Sequence, residues 1–173
     1  MNEEKKVCCF FGHRKISDAD SLKIKVYETM ENLILHNGVD TFLMGSKSEF
    51  DRLCRKVVSE LKEKYTYIKR IYIRAEYPDI NEDYENYLLE SCEETYYPER
   101  ARNAGKAVYV ERNCEMIDKS DYCIAYFKDS YLPPRRKNSR RDLFDYQPKS
   151  GTGIAYKYAV QKKRTIINLA EKI

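Results

Sequence analysis

The chain has no tryptophan, few glycines and prolines, and no long run of apolar residues. Its longest apolar run, Val7–Gly12, is far shorter than the ~20 residues that a membrane-spanning helix needs. The N-terminal MNEEKK leads straight into this run with no cleavage site after it, which argues against a secretory signal. The sequence therefore predicts a cytoplasmic protein that makes no contact with membranes.

The chain has too few cysteines and histidines, at unsuitable spacings, for a disulfide framework, a zinc site or a catalytic Cys–His pair. The six cysteines are spaced too irregularly for a disulfide framework, and no two form the CxxC pair of a zinc ribbon. Most have apolar neighbours, which is typical of reduced core residues. The only histidines are His13 and His36, and no cysteine has a His partner placed by a motif. The sequence predicts no metal site and no bound cofactor.

Excess charge is confined to one short segment. The net charge is +4, and the heptapeptide Arg135–Arg141 (RRKNSRR) alone holds five basic residues and no acid, so the rest of the chain sums to −1. A general nucleic-acid binder would spread its charge more widely. This basic segment keeps nucleic acid open as a partner but gives it little support.

The 173 residues fit one domain, 1–173, with enough apolar residues to build a core. Short apolar runs alternate with amphipathic helical patterns, which favours a sheet covered on both faces. The predicted fold is α/β, a Rossmann-like three-layer α/β/α arrangement with a mostly parallel sheet of about six strands. The predicted strands are Lys6–Phe11, Thr41–Met44, Arg70–Arg74, Ala107–Val110, Tyr122–Phe127 and Thr165–Leu169.

Capping residues mark the predicted helices between these strands. Asp18 or Asp20 begins the first helix and Asn37-Gly38 ends it, while Ser48 begins the second, the most clearly amphipathic in the chain. A tyrosine-rich helix is predicted over Asn81–Glu94, and Asn113 is predicted to cap a short helix that contains Met116 and Ile117. The last helix begins near Gly151. The tyrosine-rich apolar helix faces predict self-association as a homodimer.

Three glycine-containing loops follow predicted strands, where ligands bind in open α/β sheets. They are Gly12-His13-Arg14, Gly45-Ser46-Lys47-Ser48 and Ser150-Gly151-Thr152-Gly153. Glycine lets backbone N–H groups approach an anion, and a helix N-terminus favours negative charge. Arg14 and Lys47 add positive charge, so the predicted ligand is a phosphate group, most simply that of a nucleotide. None of the loops is a Walker A or GxGxxG motif.

Four segments together resemble the SLOG superfamily, in particular its YspA/YpsA-like branch of small bacterial proteins. They are FFGHR (Phe10–Arg14), FLMGSKSEFD (Phe42–Asp51), ERNCEMIDKSD (Glu111–Asp121) and SGTGIAYKYA (Ser150–Ala159). The superfamily also contains the LOG enzymes and the DprA/Smf proteins. The resemblance implies a Rossmann-like fold that binds a nucleotide or nucleotide derivative.

The resemblance carries over to the positions that match its motifs. It implies a ligand-binding set that shares the carboxyl edge of the sheet: Gly12, His13, Arg14, Gly45, Ser46, Asp51, Arg112, Asn113, Ser150, Gly151, Thr152 and Gly153. Serines stand at 46, 48 and 150 where the family usually has glycine. Six of the set, Gly12, Arg14, Gly45, Arg112, Gly151 and Thr152, are expected to converge on one cleft.

Three functions stay open at this point. The first is a binding or sensor protein for a nucleotide-like small molecule, and the second is a LOG-like nucleoside 5'-monophosphate phosphoribohydrolase. LOG enzymes carry a Glu shortly after the Gly-Thr element, and this chain has Gly153, Ile154 and Ala155 there. Glycosidic cleavage needs a placed carboxylate, and Asp51, Glu76 or Asp118 would have to replace it. The third is a nucleic-acid binding protein that uses the basic segment.

Overall fold

The computed structural model describes residues 4–45, 48–131 and 150–170. These residues form six strands and five α-helices. The strands are β1 (Lys6–Gly12), β2 (Val39–Met44), β3 (Lys69–Ile73), β4 (Glu94–Tyr96), β5 (Tyr122–Tyr126) and β6 (Thr165–Asn168). The helices are α1 (Ala19–Asn37), α2 (Glu49–Lys64), α3 (Glu82–Leu89), α4 (Val108–Asp118) and α5 (Gly151–Gln161), with 3-10 turns at Glu99–Ala101 and Gly105–Ala107.

All strand pairs are parallel, and the sheet order is β4-β3-β2-β1-β5-β6. This confirms the predicted Rossmann-like α/β fold. The chain builds outward from β1 to β4 and then crosses to the other side of β1 to form β5. The loops that follow β1 and β5 therefore leave in opposite directions, and a crevice opens between them at the carboxyl edge of the sheet.

Helices cover both faces of the sheet, because the central strands are apolar on both sides. In β1, Cys8 and Phe10 pack in the core beneath α1 and α2, while Cys9 and Phe11 pack in a second core with α4 and α5. Such near-continuous apolar runs are typical of parallel strands that are buried on both faces of the sheet. No helix in the three described stretches is long and apolar enough to cross a bilayer.

The strand predicted at Ala107–Val110 is wrong. Ala107 ends a 3-10 turn and Val108 begins α4, whereas the fourth strand is β4, which pairs with β3. The AVYV sequence favours a strand locally, but its residues continue into a helical pattern in which Arg112 and Met116 are buried one turn apart. Tertiary packing overrides the weak local preference here.

Two helix boundaries also differ from the prediction. Asn113 lies in the middle of α4 rather than at its start, so it does not cap a helix. The tyrosine-rich helix is shorter than predicted: it ends at Leu89, and β4 begins at Glu94. The other capping predictions hold: Asp18 caps α1, and Ser48 begins α2.

Two glycines at the carboxyl edge give a matched test of packing. A Cβ at Gly12 would lie 2.4 Å from the ring of buried Phe50, whereas nothing lies within 4 Å of a Cβ at Gly151. We expect Gly12→Ala to lower the free energy of unfolding by about 1–3 kcal/mol, because the ring has to shift in a filled core. Gly151→Ala is expected to leave stability unchanged or slightly raised. Urea denaturation of both variants checks this, and equal effects would contradict the contact.

Candidate functional site

The candidate site lies where the strand order reverses, between the loops that follow β1 and β5. Gly12, the last residue of β1, is in register with Tyr126, the last residue of β5. The two loops therefore begin at the same level of the sheet. The N–H of His13 donates to the carbonyl of Tyr126 at 3.2 Å, which extends the pairing one residue beyond the strands.

The His13 ring joins three segments at this point. Its Nε2 accepts a hydrogen bond from the N–H of Lys128 at 2.8 Å, and its Nδ1 lies 3.5 Å from the hydroxyl of Ser150. Because Nε2 is an acceptor, the ring proton is on Nδ1 and points towards Ser150. The Tyr131 ring stacks on the imidazole with the ring centroids 3.9 Å apart. His13 thus connects the loop after β1 to the loop after β5 and to the start of α5.

Burial keeps the His13 ring neutral. The side chain is 1% exposed, and desolvation lowers its pKa from the usual 6.5 to about 4. Its two nitrogens already face partners within the protein. His13 therefore positions the surrounding loops, and this geometry does not make it a base that is open to a ligand.

The N-terminus of α5 lies beside His13. The Ser150 hydroxyl caps this helix by accepting the N–H of Gly153 at 3.4 Å. The N–H groups of Gly151 and Thr152 donate to no other described residue, as expected in the first turn of a helix. The first turn of α5 carries no acidic residue, and Gly151 is exposed with open space around it. This helix start presents free backbone donors and no competing negative charge.

The N-terminus of α2 is already filled by carboxylates of the chain itself. Ser48 and Asp51 form a capping box, in which the Asp51 N–H donates to the Ser48 hydroxyl at 2.9 Å and the Asp51 carboxylate accepts the Ser48 N–H. The Glu49 carboxylate accepts the N–H of Ile16 at 3.0 Å and pairs with Lys15 at 3.0 Å. An anion would meet two carboxylates here, so α2 is a poorer phosphate site than α5.

Arg112 forms a separate, deeply buried group with Gly45. Its side chain is 2% exposed, and a Cβ at Gly45 would lie 2.8 Å from the guanidinium carbon. The guanidinium donates to the Ile73 carbonyl at 3.3 Å and to Asn113 Oδ1 at 3.0 Å. Desolvation lowers its pKa, and the nearby Asp51 carboxylate opposes that shift. Gly45 is therefore needed so that the backbone can pass over a charged side chain.

The predicted site residues thus fall into two groups along one sheet edge. His13 and Ser150 are joined at the crevice, Gly45 and Arg112 are joined at the ends of β2 and β3, and no hydrogen bond links the two pairs among the described residues. Ser46 and Lys47 lie outside the described residues, as does the basic segment. The remaining predicted residues lie at several kinds of position: Gly12 ends β1, Arg14 lies in the loop after it, Asp51 lies in the first turn of α2, Asn113 lies within α4, and Gly151, Thr152 and Gly153 begin α5.

Two residues of the crevice were missed by sequence reasoning. Lys128 and Tyr131 follow β5 in a long polar stretch with no motif, and only the contacts with His13 reveal their place. The Tyr131 hydroxyl is buried and has no hydrogen-bond partner in the part of the chain that the structure describes. Lys128 extends towards Ser17, with 3.5 Å between its Nζ and the hydroxyl, and brings a second cation besides Arg14 to this edge.

Comparisons with known proteins add no family assignment. Neither the protein-family models nor the curated proteins contain a match to this chain. Among residues 4–45, 48–131 and 150–170, no group of three His, Cys, Asp or Glu side chains is placed to hold a metal ion.

The buried neutral ring of His13 predicts a specific loss of stability in acid. Its pKa is about 4 in the folded chain and about 6.5 when unfolded, so the unfolded state binds more protons between these values. Stability is therefore lost as the pH falls from about 6.5 to about 4, by up to about 3 kcal/mol. The measurement is urea denaturation at several pH values for wild type and His13→Gln.

We expect His13→Gln to remove this part of the pH dependence. The matched control is His36→Gln, which removes the other histidine of the chain, exposed on α1, and leaves the contacts of His13 in place. If both variants show the same slope as wild type, the imidazole is not held neutral by its surroundings.

Proposed function

We propose that this protein binds a nucleotide or nucleotide derivative in the crevice between the loops that follow β1 and β5. The phosphate would lie at the N-terminus of α5, on the N–H groups of Gly151 and Thr152. The observation that carries the proposal is the contrast between two helix starts at the same sheet edge: α2 has Glu49 and Asp51 in its first turn, and α5 has no acid. A helix start with free donors favours an anion.

A cation in the loop after β1 supports binding of an anion in this crevice. Arg14 is exposed in the loop after β1, and its carbonyl is held by the N–H of Glu49 at 3.0 Å, so the loop is fixed while the side chain is free to reach outward. The Lys128 backbone is held in the opposite loop through His13, and its ammonium is directed to Ser17 rather than to α5. A guanidinium at the ligand edge of a sheet can bind phosphate through two parallel hydrogen bonds. The resemblance of the GHR and SGTG segments to the SLOG superfamily supports the same ligand class.

The phosphoribohydrolase alternative gains no support from the structure. No carboxylate occurs in α5, and the three acids that would have to replace the LOG glutamate already have partners. The Asp51 carboxylate accepts the Ser48 N–H, Asp118 accepts hydrogen bonds from Arg100 and Tyr158, and Glu76 accepts one from Tyr109. We therefore propose a binding or sensing role and no hydrolysis.

The first test removes the proposed cation in the loop after β1. We expect Arg14→Ala to weaken binding of AMP or ADP about ten- to a hundredfold, because a charge-assisted hydrogen bond contributes roughly 1.5–3 kcal/mol. Thr152→Val should weaken it less, and Lys56→Ala, which replaces an exposed cation on α2, should leave it unchanged. Isothermal titration calorimetry measures all four proteins. Binding that is unaffected by Arg14→Ala would place the ligand elsewhere.

The second test fills the α5 helix start with a carboxylate. We expect Gly151→Asp to weaken nucleotide binding more than about tenfold, because the new carboxylate would occupy the position of the phosphate. The fold should tolerate it, since the position is open and an acid in the first helical turn is favourable. Gly151→Ala is the matched control and should bind within about twofold of wild type. Equal binding by both variants would refute the α5 phosphate position.

A further inference from the structure

The stretch from Glu76 to Glu94 contains many acids and no lysine or arginine. Its eight acids are Glu76, Asp79, Glu82, Asp83, Glu85, Glu90, Glu93 and Glu94. This stretch forms α3 and leads into β4, which is the edge strand of the sheet. The negative charge of the chain is therefore concentrated in this stretch. We call six of its exposed residues the α3 surface: Tyr77, Glu82, Asp83, Glu85, Tyr87 and Glu90.

The acids at the end of this stretch are paired, and those of the α3 surface are not. Glu93 pairs with Arg70 at 2.9 Å and Glu94 with Lys69 at 2.6 Å. By contrast, the carboxylates of the α3 surface form no ion pair or hydrogen bond with any described residue. The four are Glu82, Asp83, Glu85 and Glu90.

Stabilisation of α3 does not account for the positions of all four carboxylates. Acids in the first turn favour a helix, but Glu90 occupies the C-cap of α3, where negative charge opposes the helix dipole, and no base lies in the last turn. Glu82 and Glu85 are three residues apart on the helix, where like charges repel. The position of Glu90 therefore costs α3 stability and is consistent with a cationic partner.

Exposed tyrosines lie among these carboxylates. The Tyr87 side chain is 64% exposed, and its ring stacks on Tyr84 with the centroids 6.1 Å apart. Asp83 and Glu90 lie one turn to either side of Tyr87 on the same helix face.

Tyr77, which is 61% exposed, has a φ of 57°, a left-handed conformation that is rare for a bulky residue. Arg74 holds this turn by donating to the Tyr77 carbonyl at 3.3 Å. The Tyr77 ring packs edge to face on Tyr84, with 5.9 Å between the centroids, and its other parts are exposed beside the carboxylates of α3.

The complementary charge is carried by the same chain. The basic segment Arg135–Arg141 has five basic residues in seven and no acid. The described residues on either side of its stretch, Tyr131 and Ser150, both contact His13 beside β1, whereas α3 lies with β4 three strands away at the far edge of the sheet. The two oppositely charged elements therefore leave the fold at different places, as a reciprocal contact between two copies requires.

We propose that the α3 surface of one copy docks the basic segment of a second copy. Carboxylates of Asp83 and Glu90 pair with arginines of the segment, and the exposed face of Tyr87 receives a guanidinium. In a two-fold symmetric dimer each copy gives its segment and accepts the other, so the contact forms twice and closes the assembly. This dimer does not depend on the nucleotide site.

Sedimentation equilibrium of the full chain at about 20 mM and about 500 mM NaCl tests the electrostatic contact. We expect a dimer whose dissociation constant rises at least about tenfold at the higher salt. Asp83→Asn/Glu90→Gln should weaken the dimer by a similar factor at low salt. The matched control is Glu28→Gln/Glu63→Gln, which removes two exposed acids from α1 and α2 and should leave the dimer unchanged.

A charge exchange tests whether the contact joins two copies. One variant carries Asp83→Lys/Glu90→Lys, and the other carries Arg135→Glu/Arg136→Glu/Arg140→Glu/Arg141→Glu. Each variant alone brings like charges together and should be monomeric, with the wild-type circular dichroism spectrum. An equimolar mixture restores both opposite-charge contacts and should dimerise.

Three results would overturn the proposal. They are a wild-type chain that is monomeric at low salt, a control variant that dissociates as much as the α3 variant, and a mixture of the exchanged variants that stays monomeric. The last result would mean that any contact of the basic segment with the α3 surface lies within one copy.

Discussion

The hydrogen bond from the Lys128 N–H to His13 Nε2 ties together the two loops that border the crevice. It forms only while the imidazole is neutral, and burial keeps it neutral near pH 7. The same ring faces Ser150 and stacks on Tyr131, so one side chain sets the relative positions of the loop after β1, the loop after β5 and the start of α5. A charged ring would lose the Nε2 acceptor and the connection with it.

Two helices begin at this edge with opposite local electrostatics. The start of α2 is occupied by the capping box of Ser48 and Asp51 and by the Glu49 carboxylate, which holds the loop after β1. These acids stabilise the helix and at the same time make it unattractive to an anion. The start of α5 has a serine cap and glycines without acids. One helix start thus serves the fold, and the other is the one that we propose serves a ligand.

The distribution of charge has a similar division of roles. Two acids of the β4 edge are paired within the chain, Glu93 with Arg70 and Glu94 with Lys69. The carboxylates of the α3 surface, by contrast, have no partner among the described residues. The net charge of the chain does not reveal them, because the positive charge of the basic segment offsets their negative charge. Opposite charges that are kept apart on one fold are suited to contacts between copies, which is the basis of the dimer proposed here.

The sequence by itself determined the strand and helix alternation, most of the helix caps and the parallel α/β fold. These follow from local patterns: continuous apolar runs such as β1, a clear helical stripe in α2, and side-chain caps such as Asp18 and Ser48. The prediction of the fourth strand was wrong because Ala107–Val110 is apolar and has a high strand propensity. The true edge strand, Glu94–Tyr96, has only three residues and no clear strand pattern.

The arrangement of the site was decided only by the tertiary structure. The sequence predicted that glycine loops meet at one edge, but contacts over long chain separations decide which side chains meet there. Arg112 is separated from Gly45 by more than sixty residues and is buried against its backbone, and His13 is held by Lys128 and Ser150 from beyond β5. Whether an arginine faces a ligand or a buried carbonyl depends on which residues, distant in the chain, pack around it and desolvate it. No local sequence pattern encodes that burial.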